Sequence, residues 1–277
     1  MSAPTIPRPP TSTARARPGK PPVRWTTYAA VVGVLAMTAW AVLEPLGGIG
    51  FTLAPLFGED LVRGREIIAE FLDPNWSFLP RIAEPFIETF LIAVIASVVG
   101  CTIALPLALM ASPVSGVNRP TLALVRLGNN VIRSLPDVAW GLLAAAALRT
   151  GALAGIAALI FFNIGIAVKL TSETVDAVDT GPVEASQASG ANRIQTARMT
   201  LVPQVLPNYL SYCLYIFELN IRASVVIGLV GGGGIGNVIN VQFARFAYAN
   251  LSATIAVLFV VVFVLDRASI MLRRRLI

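Results

Sequence analysis

The sequence predicts an all-α integral membrane protein of about six transmembrane helices. Three observations point there. Of 277 residues, 56% are hydrophobic and 13% charged, with mean hydropathy +0.74, whereas a soluble domain carries about 25% charged residues. The apolar residues fall into blocks near the ~20 residues that a helix needs to cross a bilayer. The bases gather at the two ends: Arg8, Arg15, Arg17, Lys20 and Arg24 precede the first block, and Arg267, Arg273, Arg274 and Arg275 follow the last. Basic flanks mark the cytoplasmic side of a span, so both termini are expected in the cytoplasm. The net charge of +6 therefore belongs to the lipid bilayer. No basic stripe with interleaved aromatics points to nucleic acid.

Each element follows from the pattern. Residues 1–24 are rich in Pro, Thr and Arg and lack an apolar core, the composition of a disordered tail. Span one is expected over about Thr27–Leu43, and without a small-residue cleavage site it stays in place. The next segment, Glu44–Pro85, holds Glu44, Glu59, Asp60, Glu66, Glu70, Asp73 and Glu84 against Arg63, Arg65 and Arg81. That scarcity of bases suits the outer side. Within it, Glu59–Leu72 is amphipathic and suited to the membrane surface. Span two covers about Phe86–Met110, and a turn-rich inner loop follows. Span three ends at Leu148 and starts at either Leu122 or Ile132, because Arg133, Pro136 and Asp137 interrupt it. Span four is about Leu153–Leu170. A polar stretch, Thr171–Pro207, leads to span five, about Asn208–Val230. A glycine-opened outer loop, Gly231–Asn250, precedes span six, about Leu251–Leu265. Six spans return the C-terminus to the inside, where Arg273–Arg275 stand. The chain thus divides into a tail (1–24), a first helix with an extracytoplasmic amphipathic segment (25–85), and the main membrane domain (86–277).

Several chemistries are disfavoured. There is no histidine, which removes the commonest metal ligand and general base. Cys101 and Cys213 lie in apolar spans as small packing residues, with no CxxC. The run GGGGIG, Gly231–Gly236, satisfies G-x-G-x-x-G, but no soluble strand precedes it and no βαβ unit surrounds it. No G-x-x-x-x-G-K-[ST] occurs, so the chain is not expected to bind ATP.

The polar stretch is the informative one. Val183–Pro207 reads VEASQASGANRIQTARMTLVPQVLP. Gly181-Pro182 opens a short helix, and Pro suits a first turn. Glu184 sits in that turn, where the helix dipole favours a carboxylate. Ala185, Ala188, Ser189 and Asn192 fall at helical spacing on one face that carries almost no bulk. Gly190 permits a tight turn or a C-cap, and Pro203 and Pro207 are expected to break the chain before span five. On these features alone, a docking helix and a solvated loop both stand.

The segment resembles the EAA loop of ABC importer permeases, whose pattern is Glu-Ala-Ala, three residues, Gly, nine residues, Ile-x-Leu-Pro. Here the corresponding residues are Glu184, Ala185, Ser186, Gly190, Thr200, Val202 and Pro203. Glu, the first Ala, Gly and Pro match. Ser186 and Thr200 depart, and Val202 replaces Leu. The resemblance extends to RSLPDVAWGLL (Arg133–Leu143), to VLPNYLSYCLYIFELNIRASVVIGLVGGGGIG (Val205–Gly236) and to the C-terminal DRASIMLRRRL. These look like the permease of phosphonate and phosphite importers and cover most of 86–277.

The resemblance implies the type I ABC importer (MetI-like) membrane domain, usually a homodimer in the cell inner membrane. It implies a separate ATPase dimer on the cytoplasmic face, holding ATP and Mg, and an extracytoplasmic substrate-binding protein. This chain would then be a transport subunit, not an enzyme, with no cofactor of its own. Its coupling loop would be about 171–207, with Glu184, Ala185, Ala188, Ser189 and Gly190 seated on the ATPase.

Glu218, Asn220 and Arg222 stand mid-way along span five, where polar groups are costly and usually face a bundle interior or water. Glu218 and Arg222 lie at i, i+4 in the favoured order for a pair. Two readings are open: a structural ion pair, or a polar lining in which Arg222 offers a fork to an oxyanion. Asp137 either pairs with an arginine of a neighbouring span or lines the same pathway. Lys169 and Glu173 suit snorkelling at the inner end of span four. The rival class is an ion-coupled secondary transporter of a small anion, which often shows internal repeats; none is evident. A membrane enzyme would want a cluster of His, Asp or Cys.

Overall fold

The computed structural model describes residues 25–42 and 59–274. The tail 1–24, the start of the outer segment at 43–58 and the last residues 275–277 lie outside the described residues, with the expectations placed on them. The chain separates into two units, Met1–Arg63 and Gly64–Ile277. In the first unit, α1 (Trp25–Val42) has mean hydropathy 1.4 and no buried residue. Its 18 residues span about 27 Å, close to the hydrocarbon thickness. Helix α2 (Glu59–Leu72) forms where the amphipathic pattern predicts it and has no buried residue along the part whose side chains are described.

In the second unit the core is built from α3 (Leu79–Met110), α6 (Ala152–Asp176) and α9 (Val202–Leu229), each packed on the other two. Small residues make this possible. Ala96 of α3 clusters with Ala158 of α6, and Ala104 with Ala167, all with no exposed surface. Asn163 donates to the Ala96 carbonyl at 2.8 Å, and a Cβ on Gly100 would come within 2.6 Å of Asn163 Cβ. Helix α3 starts seven residues before the expected Phe86, because Leu79-Pro80 opens it and Pro85 is absorbed inside it.

Span three is not a straight helix. Its two parts, α4 (Arg119–Ser134) and α5 (Asp137–Leu148), meet at 91°. Pro136 causes the break. It forces Leu135 out of the helical region, to φ −93°, ψ 134°. At 12 residues α5 is about 18 Å long, too short to cross alone. Five helices are therefore long and apolar enough to span, or six if the bent pair counts as one.

Helix α6 runs past Leu170 to Asp176, where Arg126 of α4 meets Asp176 at 3.2 Å. Lys169 and Glu173 pair at 2.7 Å on its exposed face. Two further expectations are corrected. The run Gly231–Asn250 is not a plain loop: α10 (Gly234–Ala244) forms there and packs on α9 and α3. Its start lies backbone to backbone on the end of α9, so close that a Cβ on Gly236 would fall 2.1 Å from the Val225 carbonyl oxygen. Pro203 and Pro207 do not break the chain before span five. Pro203 sits in the first turn of α9, Pro207 lies inside it, and one helical rod runs Arg193–Leu229. A π turn at Ala197–Leu201 widens the backbone just ahead of Pro203, the kind of local adjustment that accommodates an irregular bond ladder. The last helix, α11 (Tyr248–Arg273), packs against α9 and α10.

Candidate functional site

Two places combine polar chemistry with accessibility. The first is the loop between α6 and α9. Helix α7 (Gly181–Ala188) carries Pro182 and Glu184 in its first turn, as the sequence suggests. The Ser189 backbone then leaves the helix, and Gly190 takes φ +85°. Ala191 N–H donates to the Ser186 carbonyl at 3.2 Å and Gly190 N–H to the Gln187 carbonyl at 2.9 Å. This pair of bonds is a Schellman C-cap, and the left-handed residue at its centre favours glycine. A short helix α8 (Arg193–Thr196) follows. It is fixed by a capping box in which Asn192 Oδ1 accepts from Gln195 N–H at 2.9 Å and Gln195 Oε1 from Asn192 N–H at 2.8 Å.

One side chain ties α7 down. Val183 is buried in a cluster with Val175, Leu201 and Val205. Everything expected on the bare face points away from that anchor: Glu184, Ala185, Ala188, Ser189, Gly190 and Asn192 are all exposed. Ser186 is turned inward, its hydroxyl 3.4 Å from that of Thr196, so a polar residue there has a local partner. The sequence reading missed Ile194 and Met199, which stand 79% and 73% exposed beside this face. Their only sequence signal was large apolar residues inside an otherwise polar stretch.

The second place is the polar group on α9. Glu218 is buried and accepts from both Arg222 and Arg273, the latter at 3.0 Å. The expected pair of Glu218 with Arg222 is present. Arg273, however, is not a free cytoplasmic flank. It folds back from the end of α11, over the Tyr215 ring at 6.0 Å, to reach Glu218. No signal in the sequence links residues 55 positions apart. Beside the network lies a cavity of about 240 Å³ lined by Glu218, Arg222, Phe259, Val262, Phe263 and Asp266.

The other two polar residues do not join it. Asn220 has no exposed surface and donates to Ser97 Oγ at 2.7 Å across the α3–α9 interface. On a helix it projects to the side opposite Glu218, since two residues turn the face by about 200°. Asp137 sits at the start of α5, where its Oδ1 accepts from Val138 N–H at 2.9 Å and the helix dipole favours it. Among the described residues it forms no ion pair. It lines a separate cavity of about 190 Å³ with Arg133 and Trp140.

Comparison with known proteins decides the class. Residues 104–277 match the family of binding-protein-dependent transport system inner membrane components. The chain belongs to that family. It is a multi-pass inner-membrane transport subunit of the ABC importer kind, not an enzyme. The phosphite transport system permease protein PtxC of Stutzerimonas stutzeri is 29% identical over 246 residues, covering 89% of this chain and 87% of that protein. The phosphate-import permease protein PhnE of Mycolicibacterium smegmatis is 30% identical over 194 residues, 69% of this chain and 36% of that one. Among solved structures, the inward-facing MetNI methionine ABC transporter superposes with a TM-score of 0.63 at 20% identity, over 73% of this chain and 99% of that chain. The permease therefore has the all-α fold of a MetI-type importer membrane domain.

Proposed function

We propose that this permease imports phosphonates or phosphite- and phosphate-like oxyanions, driven by ATP hydrolysis on a partner ATPase dimer. ATP and Mg bind the partner. A substrate-binding protein delivers the anion on the outer side, two copies of the chain form the pathway, and both termini lie in the cytoplasm. The face made by Glu184, Ala185, Ala188, Ser189 and Gly190 seats on the ATPase. Arg222 and Glu218 face the pathway, Asn220 holds α9 to α3 beside it, and Asp137 lines it from the start of α5. One observation carries this reading. The small-residue face of α7 is exposed, yet its base is anchored by Val183 to Leu201 and Val205, in the same helical rod that bears Arg222. Relatives named for phosphite and phosphate transport supply the substrate class.

The test is uptake of methylphosphonate, phosphite and phosphate in cells lacking this chain, restored by wild type, Gly190→Asp or Arg222→Gln. ATP-dependent uptake of one anion, lost in both variants at normal protein levels, is expected. Uptake that follows the proton gradient and ignores Gly190 would instead mean an ion-coupled secondary transporter.

A further inference from the structure

We propose that Glu218 is a resident counter-anion. In the resting chain it occupies a seat between two guanidinium forks that a tetrahedral oxyanion takes during transport, and Arg273 supplies half of that seat. This rests on the importer reading above and adds the residues that hold the anion.

The geometry of the carboxylate is the first argument. Its two oxygens are divided, Oε1 to Arg222 and Oε2 to Arg273, from two different helices. An oxyanion with several oxygens on one centre presents the same pattern to two forks. The second argument is what the forks leave unused. Arg273 Nε is buried with no acceptor, a costly state for a charged donor. The Arg222 side chain stays 52% exposed beside the 240 Å³ cavity. A carboxylate serving only to hold α9 to α11 would leave neither donors to spare nor an open chamber beside them.

Charge is the third argument. The cavity wall carries a second carboxylate, Asp266. Arg267 adds a third guanidinium at the same rim, 5.0 Å from the ring of Phe263, itself a lining residue. Three guanidiniums against two carboxylates leave the neighbourhood positive, with room for one more negative charge. Phe259 and Phe263 line the same cavity and are themselves exposed, so the chamber is open to an incoming ligand.

Exchange explains how such a site avoids trapping its ligand. Passage requires binding favourable enough to enter and weak enough to leave. An anion that bound two free arginines at once would be held tightly. An anion that must displace a carboxylate trades one set of charge-assisted bonds for another of similar strength. When the anion moves on, Glu218 returns to the forks and repels it from behind.

The experiment measures KM and maximal rate of ATP-dependent phosphite and methylphosphonate uptake by the complete transporter in cells, with the amount of chain in the membrane read by immunoblot. Glu218→Gln should lower KM about tenfold and lower the maximal rate by a similar factor, since the loss of one competing charged acceptor is of that size. Arg273→Gln should raise KM about tenfold, and Arg273→Lys should restore part of that loss. Unchanged KM in Glu218→Gln, with only protein level or maximal rate altered, would overturn the proposal in favour of a structural ion pair. Should Glu218→Gln fail to accumulate, Glu218→Asp keeps the charge but shortens the reach. It should lower KM about threefold, and an unchanged KM there overturns the proposal equally. A wild-type transporter that moves neither anion would instead sink the importer reading itself.

Discussion

Gly190 offers the sharpest separation of this chain's own energetics from what a partner adds. Its φ of +85° costs a residue with a Cβ about 1–2 kcal/mol, and Asn or Asp less than a β-branched residue. Space is no obstacle, because a Cβ there meets nothing within 4 Å. A cost of about 1 kcal/mol shifts a local equilibrium about fivefold and disturbs no core residue. Gly190→Asn should therefore leave both abundance and uptake close to wild type. Gly190→Asp has nearly the same shape but puts a negative charge at the wrong end of α7, a cost within this chain of only about 0.5 kcal/mol. It should nonetheless reduce uptake more than tenfold, a loss larger than its own ~0.5 kcal/mol can produce, because the charge would face the docked partner. The assay is initial uptake rate per unit of membrane-inserted chain, with co-purified ATPase measured alongside. Asp and Asn variants that transport alike would refute the docking argument, whatever Val does at the same position.

Three other outcomes follow from the packing. Val183→Ala removes the buried anchor of α7 and should cost about 2 kcal/mol locally; protease nicking between Asp179 and Arg193 should rise while the membrane helices stay protected. Gly236→Ala drives a methyl into the Val225 carbonyl and should cost more than about 3 kcal/mol, seen as loss of the detergent-solubilised monodisperse peak, whereas Gly128→Ala, with nothing within 4 Å, should keep it and gain up to about 1 kcal/mol. Pro136→Ala lifts the restraint on Leu135, so spin labels on α4 and α5 should report an angle straighter than 91°; an unchanged distance would mean that packing, and not proline, sets the bend.

The long apolar helices were legible because hydropathy acts over ~20 residues and survives any local detail. What proline meant was not. Pro85, Pro203 and Pro207 read as punctuation, yet they are held within helices, while Pro136 does break one. Pro203 follows a π turn that widens the backbone ahead of it, whereas Leu135 ahead of Pro136 leaves the helical region at ψ 134°. The Glu218–Arg222 pair was readable from i, i+4 spacing. Arg273 was not, since a basic residue near a chain end reads as a snorkelling flank, and only the antiparallel approach of α11 to α9 brings its head to Glu218. The inward turn of Asn220 was equally silent, because spacing gives angles around a helix but not which side meets a neighbour.

The unbroken rod from Arg193 to Leu229 has a mechanical meaning. Its 37 residues measure about 55 Å, and axial hydrogen bonds make such a rod stiff to compression and twist. Between the exposed turn at its foot and Arg222 part-way up, the rod carries two irregularities, the π turn at Ala197–Leu201 and Pro207. Torque applied at the foot would reach the guanidinium as rotation, in the manner of a drive shaft. The π turn at Ala197–Leu201, a single wide coil near the foot, would act as a flexible coupling in that shaft. Stiffening that coil would change the timing of transport without touching either end.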